Sequence, residues 1–390
     1  MKRRTFLQQG AALASLSFAG FPSAWSQGQA GKPRVLVVLL RGGMDGLTAV
    51  PPVGDAQYKT IRPQIAIQTP LRLDADFGLH PKLEAMHSMW QAGQLAVVHS
   101  TGFQYTGRSH FEGQDIMQTG VMKPYAFSSG WIGRAMEQAR IDSGVAISIP
   151  MPLILRGHNK ATTQFPNWMP TLRDQDLAAV ANMWAADPAL KAYSDVIREA
   201  NLGKTLGTMN NSESFQDARS MRGLARTAAA SMRLDSGPQV GLIDMTHGFD
   251  THASQGAEQG SHADCLRDLD QLMATFRAEM GEQWANTVVL TITEFGRTAA
   301  ENGTTGTDHG VGSCCFLAGG LVTQAKVYSD WRGLEKSALF EERDLPTTID
   351  VSAVYAKVLE RAFALSPKTL VNAGVLEHKT SPLLNGLLGV

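Results

Sequence analysis

The chain has 390 residues, 43% hydrophobic and 18% charged, enough apolar mass for a full core, which excludes a disordered chain and a small disulfide-stapled scaffold. Thirty-five Lys and Arg against 36 Asp and Glu leave a net charge of -1 with no long run of one sign, so nucleic acid and an anionic bilayer find no support as partners and a small ligand is favoured. Its three cysteines form neither CxxC nor CxxH and are read as buried small hydrophobes.

At the N-terminus, Arg3 and Arg4 stand ahead of a moderately apolar stretch from Gly10 to Phe21, followed by Ser23 and Ala24, the pattern of an export signal over residues 1–30. With Phe6 and Leu7 behind them, the paired arginines resemble the twin-arginine signal, which implies that the folded chain crosses a bacterial inner membrane through the twin-arginine translocase. The apolar run of about a dozen residues is shorter than the ~20 of a spanning helix. Cleavage is expected between Trp25 and Lys32, leaving a periplasmic or otherwise exported chain without a membrane span.

Residues 31–390 are read as a single domain. Val35 to Leu40 is a continuous apolar run ending at Gly42-Gly43, as in a strand buried on both faces. His80 to Gly93 has helical spacing and is followed by a buried strand at Leu95–Val98. Val240–Met245 is a third strand, Ala263 to Trp284 a long amphipathic helix, Thr287–Thr293 a fourth strand, Cys315–Ala318 a fifth, and Val351 to Phe363 a closing helix. This alternation predicts a three-layer α/β/α sandwich on a mostly parallel central sheet. Residues of about 147–237, proline-rich and then helical in composition, are read as a cap or insertion.

In such sheets ligands bind beyond the carboxyl ends of the strands. Polar residues gather there: Arg41 and Asp45 after the first strand, Arg108, Ser109 and His110 after the second, His247, Asp250 and His252 after the third, Glu294 and Arg297 after the fourth, and Asp308 and His309 before the fifth. Carboxylates and imidazoles without thiolates are a ligand set for Zn²⁺ or Mn²⁺. No GxGxxG, P-loop, GxSxG or HExxH pattern is present. Each residue also has a structural reading: Asp45 holding a glycine-flanked turn, Ser109 with Glu112 forming a capping box, Asp250 and His252 in an Asx turn, Glu294 paired with Arg297, and Asp308-His309 making a loop hydrogen bond.

The strings Leu40–Leu47 (LRGGMDGL), Arg108–Phe111 (RSHF), Gly248–His252 (GFDTH), Thr293–Thr298 (TEFGRT) and Thr307–Gly310 (TDHG) together resemble the domain of unknown function 1501 family, itself similar to the alkaline phosphatase-like superfamily of sulfatases and metal-dependent phosphoglycerate mutases. The resemblance implies an alkaline phosphatase-like fold, with Asp45 on one metal ion, Ser109 as a nucleophile bridging the metals, Asp250 and His252 on a second ion, and Glu294 and His309 as further ligands. Where that pattern carries a histidine, this chain has Phe295, and His110, His247 or Asp308 is available to replace it. No cysteine or serine lies in the Cys-x-Pro-x-Arg setting of sulfatases. The expectation is therefore an exported hydrolase of phosphate or related esters using one or two divalent ions, Zn²⁺ or Mn²⁺, with Arg41, Arg108 or Arg297 on the substrate oxygens. The alternative is a catalytically silent envelope binding or assembly protein on the same fold.

Overall fold

A computed structural model of the chain describes residues 31–165, 178–179, 182–184, 186–187, 215–246, 248–377 and 380–389. Residues 1–30, where an export signal is expected, His247 and most of residues 166–214 lie outside them. Residues Lys32–Val390 form one compact unit.

The first strand, β1 (Arg34–Leu40), is buried along its whole length. It pairs in parallel with β7 (Val240–Met245) on one side and β8 (Thr287–Ile292) on the other, Val35 facing Val240 and Val288. A central parallel strand has both faces covered, which is why its sequence is a β-branched and leucine run without alternation. Outward from β7 come β5 (Gly144–Ile147) and β6 (Ala161–Thr163), and outward from β8 come β9 (Ser313–Ala318), β4 (Leu95–Gly102) and β10 (Val327–Tyr328), with β11 (Ile349–Asp350) also on β4. Within this sheet every described strand pairing is parallel except those of β9, which runs antiparallel to β8 and β4. Leu71–Arg72 and Gly78–Leu79, β2 and β3, form a separate hairpin.

Alternate residues of β1 divide the core. Val35, Val37 and Leu39 face α4 (His110–Thr119), α5 (Trp131–Ala139) and α9 (Val351–Phe363) through residues such as Met117, Trp131 and Val358. Leu36, Val38 and Leu40 face α3 (Glu84–Gln91), α7 (Met221–Met232) and α8 (Ser261–Met280) through Met86, Leu224 and Phe276. Two helical layers thus enclose a mostly parallel sheet, as the alternation of elements predicts. The short helices α1 (Gly46–Ala49), α2 (Gln57–Ile61), α6 (Phe215–Arg219) and α10 (Pro367–Asn372) complete the described set. Among the described residues no helix is long and apolar enough to cross a membrane.

Several boundaries shift for local reasons. The helix expected from His80 begins at Glu84, because the His80 amide is bonded to the Ala49 carbonyl and Leu83 leaves helical geometry. The helix expected to reach Trp284 ends at Met280, where Gly281 has φ +53 and a 3₁₀ turn follows. Within the segment read as a cap, β6 extends the sheet in parallel with β5, and α7 lies on the sheet face beside α8. The described ends of that segment are therefore parts of the layers themselves.

Candidate metal centre

Four side chains from three loops converge at the edge where the parallel strands end. His110 is the first residue of α4, Asp250 and His252 follow β7, and His309 precedes β9. Single ligand atoms of His110, Asp250 and His309 lie within 4.8 Å of one another. The Asp250 Oδ1 is 3.0 Å from His252 Nε2 and 3.1 Å from His309 Nε2, and its Oδ2 is 3.3 Å from His110 Nε2. His252 Nε2 and His309 Nε2 stand 3.0 Å apart.

Acceptors on the far side of each ring explain this convergence. His110 Nδ1 donates to Glu294 Oε1 at 2.9 Å, His252 Nδ1 to Asp308 Oδ1 at 3.2 Å, and His309 Nδ1 to the Arg108 carbonyl at 2.8 Å. In the tautomer whose Nδ1 carries the proton an imidazole presents a lone pair at Nε2, and all three Nε2 atoms lie within 3.3 Å of an Asp250 oxygen. The buried His110 Nε2 makes no hydrogen bond. Electron pairs so crowded repel unless a positive charge sits among them. In a tetrahedral site with arms of about 2.0–2.1 Å the donors are about 3.3 Å apart, close to the separations here. The His110, Asp250 and His309 donors therefore fit a divalent cation, and His252 Nε2, 3.0 Å from both Asp250 Oδ1 and His309 Nε2, stands beside them.

The electrostatics agree. The hydrogen bond to Glu294 raises the His110 pKa above the ordinary histidine value, helped by the charges of Glu294 and Asp250, so the field there welcomes a positive charge. Burial works against ionising Asp250, but Arg297, whose Nη1 lies 2.8 Å from Oδ1, and the imidazoles hold its carboxyl below the usual range. Burial likewise opposes ionisation of Glu294, and bonds from His110, the Gly42 amide and Gln114 outweigh it. Gly42 is required between these loops: with φ +114, an added Cβ would stand 2.5 Å from the Asp250 amide nitrogen.

The remaining residues singled out in the sequence fall into different places. Asp45 is not brought to the cluster. Its carboxylate accepts from Arg62 Nη1 at 2.6 Å and Nη2 at 3.1 Å, from Thr48 and from Gln255, and caps α1 through the Leu47 amide, all in a buried pocket. Such a carboxylate has its lone pairs committed, which corrects the expectation of a ligand in favour of the turn-holding role. Glu294 lies behind His110, so it orients a donor. Asp308 does the same for His252. Arg297 pairs with Asp250 and not with Glu294, and its side chain is fully buried. Arg41 is bidentate to Asp244, and Arg108 bonds Asp344 and Glu341.

Ser109 occupies the cap position of α4 with extended backbone, yet its side chain makes no capping bond. Glu112 accepts the Tyr105 hydroxyl at 2.6 Å, so the expected capping box is absent. The serine instead sits between two residues of the site, its predecessor's carbonyl holding His309 and its successor being His110.

Phe295, standing where the superfamily resemblance calls for histidine, lies with its ring 4.8 Å from those of both His110 and His309. It packs against the two imidazoles as an apolar wedge. Gln114, bonded to Glu294 at 3.1 Å and to Arg41 at 2.5 Å, escaped the sequence reading. Its only signal was its position four residues after His110, on the same helix face.

With this architecture and donor set in view, the chain belongs to the DUF1501 family of proteins of unknown function, whose model matches residues 32–375. No curated protein matches its sequence. Solved structures similar to it include Ps i-CgsB in complex with k-i-k-neocarrahexaose, at 11% identity and TM-score 0.44, covering 90% of this chain and 75% of that one. A 2-O GAG sulfatase, BT1596, is similar at 10% identity and TM-score 0.42, covering 90% and 76%. The PsFucS1 sulfatase from Pseudoalteromonas sp. is similar at 13% identity and TM-score 0.41, covering 100% and 75%.

Proposed function

We propose that the mature chain is an exported, metal-dependent hydrolase of phosphate or related esters, with Ser109 as its nucleophile. The observation that carries this reading is the convergence of the His110, His252 and His309 Nε2 atoms on Asp250, each imidazole held from behind by an acceptor. His110, Asp250, His252 and His309 would hold Zn²⁺ or Mn²⁺, and a bound ion would supply Lewis-acid charge neutralisation to the ester oxygens and acidify a nearby hydroxyl.

The chain's own residues account for the rest. In support, Ser109 stands in the chain between Arg108, whose carbonyl accepts from His309, and His110, and its side chain makes no helix-capping bond. Its Oγ bonds to the phosphorus or sulfur of the ester as the bond to the leaving alkoxide breaks, and the departing alcohol takes the proton the serine releases. Water then cleaves the seryl ester, freeing the inorganic anion and restoring the hydroxyl. Arg297 keeps Asp250 ionised and in place throughout.

The test is elemental analysis of mature protein purified from its exported form, followed by a panel of phosphate mono- and diesters and sulfate esters with and without chelator. At least one equivalent of bound divalent metal and a chelator-sensitive hydrolysis abolished in Ser109→Ala are expected. Bound metal with no ester turned over would replace this reading by that of an envelope binding protein. For the export signal, lysines in place of Arg3 and Arg4 should leave the precursor in the cytoplasm, and undiminished export would make the signal an ordinary secretory one.

A further inference from the structure

Tyr105 lies between β4 and α4, its ring packed against the core layer to which α4 belongs. Its hydroxyl accepts from the Ser109 amide at 3.2 Å and donates to Glu112 Oε2 at 2.6 Å. In a capping box the side chain of the third helical residue receives the amide of the cap residue directly, and the cap side chain receives the amide of that third residue in return. Here a phenol stands between the two partners: the Ser109 amide is satisfied through Tyr105, and the Ser109 side chain makes no capping bond. Burial and the bond to Glu112 raise the Tyr105 hydroxyl above its ordinary pKa, so near neutral pH the phenol keeps the proton it donates.

Two neighbours hold this bridge. At Gly107 an added Cβ would stand 2.4 Å from Tyr105 Oη, so the absence of a side chain lets the ring fold back over its own loop. Arg108 has left-handed backbone, with φ +52, and its guanidinium is anchored on the buried Asp344 at 2.8 and 2.6 Å. Such a conformation persists in a residue other than glycine where its surroundings hold it. The backbone of Ser109 is then tied on both sides, its amide to Tyr105 and its carbonyl to the Gly113 amide at 2.8 Å.

We propose that Tyr105 is a positioning residue for Ser109: by bridging the Ser109 amide to Glu112 it keeps the capping box open and leaves the serine hydroxyl available to a ligand at the neighbouring cluster. The chemical use of that hydroxyl rests on the hydrolase reading; the open box does not.

The experiment is a double-mutant cycle followed by denaturant titration of the mature chain. Tyr105→Phe removes the bridging oxygen alone, after which Glu112 takes the Ser109 amide and Ser109 Oγ takes the Glu112 amide. Ser109→Ala is expected to leave the folding equilibrium of the otherwise wild-type chain within about twofold, and to lower that of Tyr105→Phe by about fivefold, the worth of a serine cap. In Glu112→Gln, whose side-chain carbonyl still accepts from the phenol, Ser109→Ala should again be silent. Equal effects of Ser109→Ala in the wild-type and Tyr105→Phe backgrounds would overturn the proposal. A second arm reads turnover. With any ester that the wild type hydrolyses, Tyr105→Phe should lower kcat by about 10–100-fold, the cost of a misplaced reacting group, with KM and bound metal unchanged. An unchanged kcat would sink the positioning of Ser109 and leave the hydrolase standing. A wild type that hydrolyses nothing, with Ser109→Ala still costly in the Tyr105→Phe background alone, would sink the hydrolase and leave the open box standing.

Discussion

Glu294 accepts the Nδ1 proton of His110 and the amide of Gly42 through the same oxygen, each at 2.9 Å, from a position 1% exposed to solvent. One buried carboxylate thereby fixes both the tautomer of a candidate ligand and the glycine turn that lets the Asp250 loop approach.

For Glu294→Gln, the amide fills the same space but carries no charge, and the His110 proton loses its ionic partner. Metal affinity is expected to fall by about 10–100-fold, the usual cost of losing such an outer partner, with the fold retained. Competition against a chelator of known affinity measures this, and an unchanged affinity would remove Glu294 from the site.

Ser109→Ala separates chemistry from helix capping. A serine that caps a helix costs about 1 kcal/mol when truncated, but here no capping bond exists, so unfolding free energy should stay within about 0.5 kcal/mol of wild type. Ester hydrolysis should nevertheless drop by several orders of magnitude. A clear loss of stability in denaturant titration would restore the capping role.

Asp45→Asn tests the buried pair with Arg62. Burial opposes the charge on Asp45, yet Arg62 and its hydrogen bonds prevail and hold the carboxyl far below its usual value. The stability this contributes is therefore present at neutral pH and is lost as pH falls below the ~3.9 of an unfolded aspartate toward the lower folded value. The variant leaves a buried guanidinium without its counter-charge and should lose about 3–5 kcal/mol at pH 7. Melting curves at pH 7 and pH 3 should show the gap between variant and wild type narrowing in acid; a constant gap would mean the pair contributes no charge-dependent stability.

His262, on the first turn of α8, is fully buried with neither ring nitrogen in a hydrogen bond. Burial pushes its pKa down to about 3, against the opposing charge of Asp45 and with like charges at His80, Arg297 and Arg62. The unfolded chain takes up a proton at ~6.5 that the folded one refuses, so stability is lost progressively as pH falls from ~6.5 toward 3. His262→Leu removes two unpartnered polar atoms. It should be neutral or stabilising at pH 7 and should flatten the acid decline of Tm. A lower Tm at pH 7 with an unchanged acid slope would show that the imidazole has a partner.

The sequence made the central layer readable because burial on both faces leaves an unbroken apolar run, as in β1, and because Val351–Phe363 carries one inward stripe. The four-residue β5 was missed, since Gly144–Ile147 is too short to show a period. The reversed direction of β9 was equally hidden, for a buried strand looks the same either way. At the site, the loops were legible from their place after strands, but the division of labour was not. Which carboxylate coordinates and which orients depends on residues far away in the chain: Arg62 withdraws Asp45, and His110 claims Glu294.

The reversal of β9 has a consequence for how the site is assembled. A parallel successor to β8 would need a crossover to the opposite end of the sheet before returning, whereas residues 293–312 make their whole excursion at one end. Glu294, Arg297, Asp308 and His309 all travel in this one segment, with Arg297 and His309 bridged to each other through the backbone. Half of the site is thus a short-range object that closes over a small loop, and the tip of that loop is tied back to the site, the Asn302 side chain donating to the His252 carbonyl and to Asp308 Oδ1.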